Sequence, residues 1–469
     1  MPTSTFLLSS LSVYHAITTD KTVHAWTKLM DAIDDADPKG VVLAYHRFSA
    51  LAATHGWTDL LLDLILNDDN IFSRAAAKGQ NNVSPALKKL VIRDLALLEE
   101  AANISPKEIK RLILTLFQKT GFNTHIPAEH PLHPANWPEW ELRNAASGSE
   151  VGSEAASETA SPSDTAAGWL LETRQNIKSH LQNHSWQTCV GVLTVFYERV
   201  GCGIFGRYAA ACWVTETDQP TLIGIANPDP VRMEQLIGLE NEKRIIAENT
   251  EHLLAGFPAN NMLLYGFRGT GKSSMVKSLL QTYVQKGLRI VEIAKKDLSD
   301  FTRLCNFLEN EPGKFIMFID DLSFDENEPE YKALKTILEG TIAAKPANVI
   351  VYATSNRRHL IKETYAERKD EIFSQDVQQE KLSLSDRFGI IVTFPSPDQE
   401  SFLSIIENLA EQNQLRIGKK ELRQMALRWE MWHNGRSGRT ARQFIDNLIA
   451  EQASGSLHDL LGDDSETAP

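Results

Sequence analysis

Gly266-Phe-Arg-Gly-Thr-Gly-Lys-Ser273 is a complete G-x-x-x-x-G-K-[ST] pattern, the signature of a loop that cradles nucleotide phosphates. Its flanks supply the context. Asn261-Met-Leu-Leu-Tyr265 is a short apolar run that reads as a buried strand. From Lys272 onward Val276, Leu279, Leu280, Tyr283 and Val284 recur on one helical face, and Gly287 follows as a stop. A chance match in a surface turn would lack both flanks. Glycines let backbone N–H groups wrap the phosphates, and the helix N-terminus adds positive potential. The expected cradle is Gly266, Gly269, Thr270, Gly271, Lys272, Ser273 and Ser274. Lys272 would reach the β- and γ-phosphates, and Ser273 would ligate Mg²⁺.

Further along, Lys314-Phe-Ile-Met-Phe-Ile-Asp-Asp321 is an apolar run ending in two carboxylates. A buried strand there delivers Asp320 to Mg²⁺ and leaves Asp321 beside it as a base for the attacking water. Strands often end in an Asp turn, but the phosphate loop upstream favours the catalytic reading. Val349-Ile-Val-Tyr-Ala-Thr-Ser-Asn356 ends in a polar residue suited to holding a water or sensing the γ-phosphate. Ser385-Asp-Arg387-Phe-Gly389 precedes another strand, and its arginine is a candidate to reach the γ-phosphate of a neighbouring subunit; a structural salt bridge is the alternative. Gly438-Arg439-Thr-Ala-Arg442 opens the last helix. Arg439 and Arg442 lie three apart and share a face, as a phosphate lid or as a solvated basic helix start.

Strand candidates recur at Asn261–Tyr265, Arg289–Ala294, Lys314–Ile319, Asn348–Thr354 and Ile390–Phe394, separated by helical segments. The expected fold class is α/β: a five-stranded parallel P-loop sheet over 230–395, with a C-terminal helical lid over 396–454. Ser396-Pro-Asp398 caps the first lid helix, and others start near Lys419 and Ser437. Residues 1–143 read as a mainly helical N-terminal domain, with Ser84-Pro85 and the capping box Ser105-Pro-Lys-Glu108 as helix starts. His130-Pro-Leu-His-Pro-Ala-Asn-Trp-Pro-Glu-Trp140 is too proline-rich for regular structure. Its histidines, with His125, lack the carboxylate or cysteine partners of a metal site. Residues 144–167 read as a disordered acidic linker, 168–229 as a connecting α/β or helical segment, and 455–469 as an acidic tail. Gly201-Cys-Gly-Ile-Phe-Gly206 matches G-x-G-x-x-G, but a helix precedes it, so a tight turn with close backbone packing is expected.

The net charge of −13 argues against broad binding to nucleic acid or anionic membranes. Four cysteines without a C-x-x-C pair read as small buried residues of a reducing cytosol. The first 19 residues carry no charged side chain before Asp20, yet lack a basic leader region; an ordinary helix with a frayed start is expected. No stretch reads as a membrane span.

Together Gly266–Ser273, Ile319-Asp-Asp321, Asn356, Arg387-Phe-Gly389 and Gly438-Arg-Thr-Ala441 resemble the AAA+ ATPases, in the order Walker A, Walker B, sensor 1, arginine finger and sensor 2. Leu236-Ile-Gly-Leu-Glu240 resembles the adenine-side segment of that family, which would place Ile237 and Gly238 against the base. A closer resemblance, to a bacterial family of AAA+ ATP-binding proteins (domain of unknown function 815), rests on three stretches. They are Phe257-Pro-Ala-Asn-Asn-Met-Leu-Leu-Tyr-Gly266, Asp320-Asp-Leu-Ser-Phe324 and Tyr352-Ala-Thr-Ser-Asn-Arg-Arg-His-Leu360. The resemblance implies a cytoplasmic, magnesium-dependent ATP hydrolase acting as a homo-oligomer, a hexamer in most such rings. An unidentified protein or nucleic-acid client would be its partner, with no membrane involved. It also implies catalytic roles for Asp321, Asn356 and Arg387, with Arg439 on the lid. Most members carry Asp-Glu where this chain has Asp320-Asp321. Either the backbone compensates for the missing methylene, or Asp325, Glu326 or Glu328 serves, or turnover is slow. A nucleotide-dependent switch that recruits a partner is the second functional expectation. A DNA-handling role for the stretch Arg357, Arg358, Lys362, Arg368 and Lys369 is weaker, because acids interleave with it. No aromatic pore loop is evident, with the Phe301 region an unconvincing substitute.

Overall fold

The computed structural model describes residues 6–122, 127–140, 165–215, 220–324, 330, 334, 338, 346–356, 387–432 and 435–454. Residues 144–164 of the linker expected at 144–167, the acidic residues Asp325, Glu326 and Glu328, the basic stretch 357–369, His125 and the tail 455–469 lie outside them, and a helix opens at Ala166 within the last residues of that linker. The chain divides into two compact units, Met1–Tyr208 and Ala209–Pro469.

The described part of the first unit is helical. Its helices are α1 (Phe6–Ser9), α2 (Lys21–Asp34), α3 (Pro38–Ala52), α4 (Trp57–Asn67), α5 (Ile71–Ala77), α6 (Pro85–Asn103), α7 (Pro106–Thr120), α8 (Ala166–Asn183), α9 (Val190–Val200) and α10 (Gly203–Arg207). The capping box forms as read: Ser105 Oγ accepts from Glu108 N–H while the Glu108 carboxylate accepts from Ser105 N–H. Aromatic side chains build the core, with Trp26 centred 4.9 Å from Phe48 and 5.2 Å from Trp57. The proline-rich stretch is irregular but anchored. Trp137 and Trp140 are buried, the Tyr45 hydroxyl donates to Pro138 O (2.7 Å), and Lys110 donates to Ala135 O and Glu139. His130 and His133 each accept a backbone N–H two residues on, so they cap local turns.

The start of the chain differs from the single helix expected. α1 is four residues long, a 3₁₀ turn follows at His15–Thr19, and the segment between is held by a side chain instead. Asp94 on α6 is fully buried, and its Oδ2 accepts the backbone N–H groups of Ser12, Val13 and Tyr14 at 2.6–3.2 Å. Three amides converging on one carboxylate hold a bend that local propensity would not choose. Asp94→Ala strands those donors and should lower stability by about 2–4 kcal/mol. Urea unfolding followed by far-UV circular dichroism checks this; an unmoved midpoint would show the anchor to be idle.

The G-x-G-x-x-G stretch packs as anticipated. Gly201 ends α9, and a Cβ on Gly206 would lie 2.9 Å from Gly201 O, so the backbone passes too close for any side chain.

The second unit is built on one sheet. Its strands are β1 (Ala210–Val214), β2 (Thr221–Ile225), β3 (Met262–Gly266), β4 (Leu288–Ile293), β5 (Lys314–Ile319), β6 (Val349–Ser355) and β7 (Ile390–Phe394), in the order β2-β1-β4-β5-β6-β3-β7. The five strands read from sequence are present within a residue or two and pair in parallel, as in Met262↔Tyr352 and Met262↔Ile390. Among the described residues the strand count of five is corrected to seven. β1 extends the parallel sheet beyond β4, and β2 turns back antiparallel to β1. Ala210-Ala-Cys-Trp-Val214 follows closely on the Gly201–Gly206 turn within a stretch that is apolar on both sides of it, so its period was masked.

Every residue of β6 is buried, and so is β5 beyond Lys314. This explains the near-continuous apolar runs, because a central parallel strand is covered on both faces. α11 (Glu240–Leu254), α12 (Lys272–Tyr283) and α13 (Phe301–Asn310) belong to these layers. The Asn-Asn pair before β3 has a clear task. Asn249 of α11 exchanges bonds with Asn260 N (3.0 Å) and O (2.9 Å) and donates to the Tyr352 hydroxyl, which also meets Thr250. Asn261 accepts from Val351 N–H. The network ties α11, β3 and β6 together, and burial pushes the Tyr352 hydroxyl up to about 12. Phe301 is 3% exposed at the head of α13, so its ring serves the core and offers nothing to a client.

Three lid helices follow at Gln399–Gln412, Lys419–Trp432 and Gly438–Ser454. Asp398 caps the first by accepting Ser401 N–H at 2.8 Å. They enclose a small core that includes Phe402, Ile406, Leu422, Phe444 and Leu448. Each such side chain contributes about 1.5–3 kcal/mol on burial, enough to hold a three-helix lid together.

Candidate functional site

Parallel strands bring their C-terminal ends to one edge of the sheet. Because β5, β6 and β3 are neighbours, the residues that follow them meet. A cleft of about 980 Å³ opens there. Gly269, Thr270, Gly271, Lys272, Ser273 and Ser274 line it, with Asp320, Asp321 and Asn356 from the other strand ends, Ile237 and Gly238 from the segment before α11, and Arg439 from the lid. Two expected residues are not in its lining. Gly266 sits at the end of β3, where its carbonyl takes a bond from Lys272. Arg387 is half-buried in the approach to β7, away from its own chain's cleft lining.

The loop needs its glycines. Gly269 (φ 78°) and Gly271 (φ 94°) take left-handed conformations that open the turn and start α12. A Cβ on Gly269 would lie 2.8 Å from Ser437 Oγ, so the loop also runs directly beneath the start of the last lid helix.

Lys272 is 6% exposed. Its Nζ donates to Gly266 O (2.8 Å), Phe267 O (2.7 Å) and Asn356 Oδ1 (3.1 Å). Burial holds its ammonium below the ordinary lysine range; Asp321 and Asp320 oppose that fall, while Arg268 and Arg439 add to it. A phosphate in the cleft would supply the negative charge this ammonium lacks. The Asn356 side chain is bifunctional: its oxygen accepts from Lys272 and its Nδ2 donates to Asp321 Oδ1.

The two carboxylates are held differently. Asp320 Oδ1 accepts from Ser273 Oγ (2.6 Å), Thr354 Oγ1 (2.6 Å) and Asp321 N–H (3.1 Å). All three bonds fall on that one oxygen, and Oδ2 takes none among the described residues. The donor set suits a small hard cation. A hydroxyl and a carboxylate oxygen stand together beside a helix N-terminus, and the carboxylate keeps one oxygen in reserve. Asp321 is exposed and has a left-handed backbone (φ 51°), a region in which aspartate is commoner than most residues.

Several lining residues escaped the sequence reading. Thr354 lies on β6 two positions before Asn356, and strand alternation puts both on one side; that period was the available signal. Leu236, Leu239, Ile405 and Leu409 form an apolar wall assembled from the pre-α11 segment and the first lid helix. No local pattern links those positions. Arg268 adds a cation at the rim, where Arg442, one of the two lid-helix arginines read from the sequence, also lies.

A P-loop strand order with a helical lid over the nucleotide edge defines the AAA+ class. The chain belongs, more particularly, to the family described as Protein of unknown function (DUF815), which residues 206–452 match. No curated protein matches it in sequence. Among solved structures it is similar to the Thermotoga maritima RuvB Holliday junction branch migration motor, at 16% identity over 48% of this chain and 67% of that one, with a TM-score of 0.35. It is also similar to the Aeropyrum pernix ORC1 protein solved in complex with DNA, at 16% identity over 46% and 61%, also with a TM-score of 0.35. Likenesses this distant bear on neither activity nor partner. No helix among the described residues is long and apolar enough to cross a membrane.

Proposed function

We propose that this protein is a cytoplasmic, magnesium-dependent ATPase that converts ATP binding and hydrolysis into movement or remodelling of a macromolecular client. One observation carries the reading. Lys272, Ser273, Asp320, Asp321 and Asn356 come from three separate chain segments and form one hydrogen-bonded set lining one cleft.

The residues divide the work. Backbone N–H groups of 269–273 and the head of α12 hold the phosphates. Lys272 turns its ammonium from loop carbonyls to the β- and γ-phosphates. Ser273 and Asp320 would hold Mg²⁺, which would supply positive charge against the negative charge that builds on the phosphates. Asn356 holds the lytic water beside Asp321, and Asp321 accepts its proton as the water oxygen bonds to phosphorus. The leaving group is ADP. The apolar wall of Leu236, Ile237, Leu239 and Ile405 receives the base, and Arg439 on the lid covers the phosphates. Arg387 acts on the cleft of a second copy within a hexamer.

Asp321→Asn preserves shape and removes the base, because an amide oxygen is a far weaker proton acceptor. We expect Mg·ATP binding to persist while turnover falls about 10²–10⁴-fold. Calorimetric titration with ATP and phosphate release measured on the same preparation test it. Turnover retained in Asp321→Asn would move the base elsewhere. Wild-type protein that binds ATP tightly, yet turns over slowly with every client tried, would favour the switch reading.

A further inference from the structure

We infer that Thr354 is a positioning residue that sets both carboxylates of the Asp320-Asp321 pair, and that this is how the chain works with an aspartate in place of the longer acid. The inference rests on the nucleotide-site reading above. Thr354 is 1% exposed within β6, so its hydroxyl has no solvent to serve. That hydroxyl donates to Asp320 Oδ1 (2.6 Å) and accepts from Asp321 N–H (2.9 Å). One oxygen atom therefore holds the side chain of the first acid and the backbone of the second.

Each contact has a consequence. The bond to Oδ1, with those from Ser273 and Asp321 N–H, stops the Asp320 carboxylate from rotating. Oδ2 is left in a set direction for a cation. The bond from Asp321 N–H pins the peptide that leads into the left-handed turn at φ 51°. The neighbouring Leu322 N–H is bonded to Thr354 O at 2.7 Å and the Ser355 hydroxyl to Leu322 O at 2.7 Å, so both sides of the turn are fastened to β6. With the backbone turned this way, the Asp321 carboxylate reaches Asn356 Nδ2 without an extra methylene.

The test uses the full chain and three variants. Thr354→Val keeps the branched shape that suits a buried strand and removes the hydroxyl; Thr354→Ser keeps the hydroxyl and removes a methyl; Lys272→Ala is the nucleotide-site control. Two quantities are read: ATP affinity in EDTA, and Mn²⁺ affinity of the protein–ATP complex by electron paramagnetic resonance. ATP turnover is measured alongside. The expected result is that Thr354→Val binds ATP in EDTA as the wild type does, while Mn²⁺ affinity and kcat each fall about 10–100-fold. KM should move little, and Thr354→Ser should restore most of both losses. If Thr354→Val keeps Mn²⁺ affinity and turnover while Lys272→Ala has lost ATP, Thr354 is not a positioning residue and the nucleotide site stands. Valine and serine variants that are equally impaired would overturn the role of the hydroxyl. Wild-type protein that binds no ATP would remove the nucleotide site and this inference together.

Discussion

Lys272→Ala abolishes ATP binding at concentrations that saturate the wild type: this is the expected result, and the largest single-residue effect the cleft offers. The Lys272 ammonium is buried and bonded to two loop carbonyls and to Asn356. ATP would replace the carbonyls with phosphate oxygens, exchanging neutral partners for charged ones. Two lost charge-assisted bonds of roughly 1.5–3 kcal/mol each weaken binding by about 10²–10⁴-fold. The fold should survive, because the backbone pairing of β3 with β6 and β7 does not use the amine. Calorimetry with ATP on a variant whose circular dichroism matches the wild type decides the matter. Unchanged affinity would remove the nucleotide site altogether.

Mixing two inactive variants should restore activity. Arg387 is absent from the lining of its own cleft, while the neighbouring Phe388 is 2% exposed and fixes the segment ahead of β7. On the proposed reading, this arginine acts on the cleft of another copy. Arginines donated between subunits are worth about 10³–10⁵ in rate. Arg387→Ala should therefore lose turnover by that order while still binding ATP. Lys272→Ala is dead for the opposite reason, so a mixed oligomer contains interfaces that join an intact Lys272 cleft to an intact Arg387. Phosphate release should reappear on mixing and rise faster than linearly with total protein concentration. Failure to recover in oligomers verified to be mixed, or full specific activity in a strict monomer, would take Arg387 out of the chemistry.

Much of this was legible because the central sheet writes itself plainly. β3, β5, β6 and β7 are short apolar runs bounded by glycine, acid or proline, and the glycines of 266–271 announce the turn between β3 and α12. Asp320, Asp321 and Asn356 could be named since each directly follows or nearly ends an apolar run. Other features had no local signal. β1 and β2 are five residues each, and their identity as strands depends on pairing, β1 with β4 and β2 with β1. The bend at Ser12–Tyr14 exists because Asp94, some eighty positions away, accepts its amides. Thr354 looks like any β-branched strand residue until the turn at Asp321 is seen folded against it.

The left-handed backbone at Asp321 also limits what that position can become. Aspartate and asparagine tolerate this region better than longer side chains do. Glutamate, the residue most AAA+ chains carry there, would meet the backbone penalty and overshoot Asn356 in the same step. The two acids are thus separate solutions with a valley between them, and crossing it requires turning the peptide and lengthening the side chain together. Asparagine lies on the near side of that valley. On the proposed reading, a change from Asp321 to asparagine keeps the shape and discards the base, so drift at this position would lead more readily to a silent nucleotide-binding relative than to a faster enzyme.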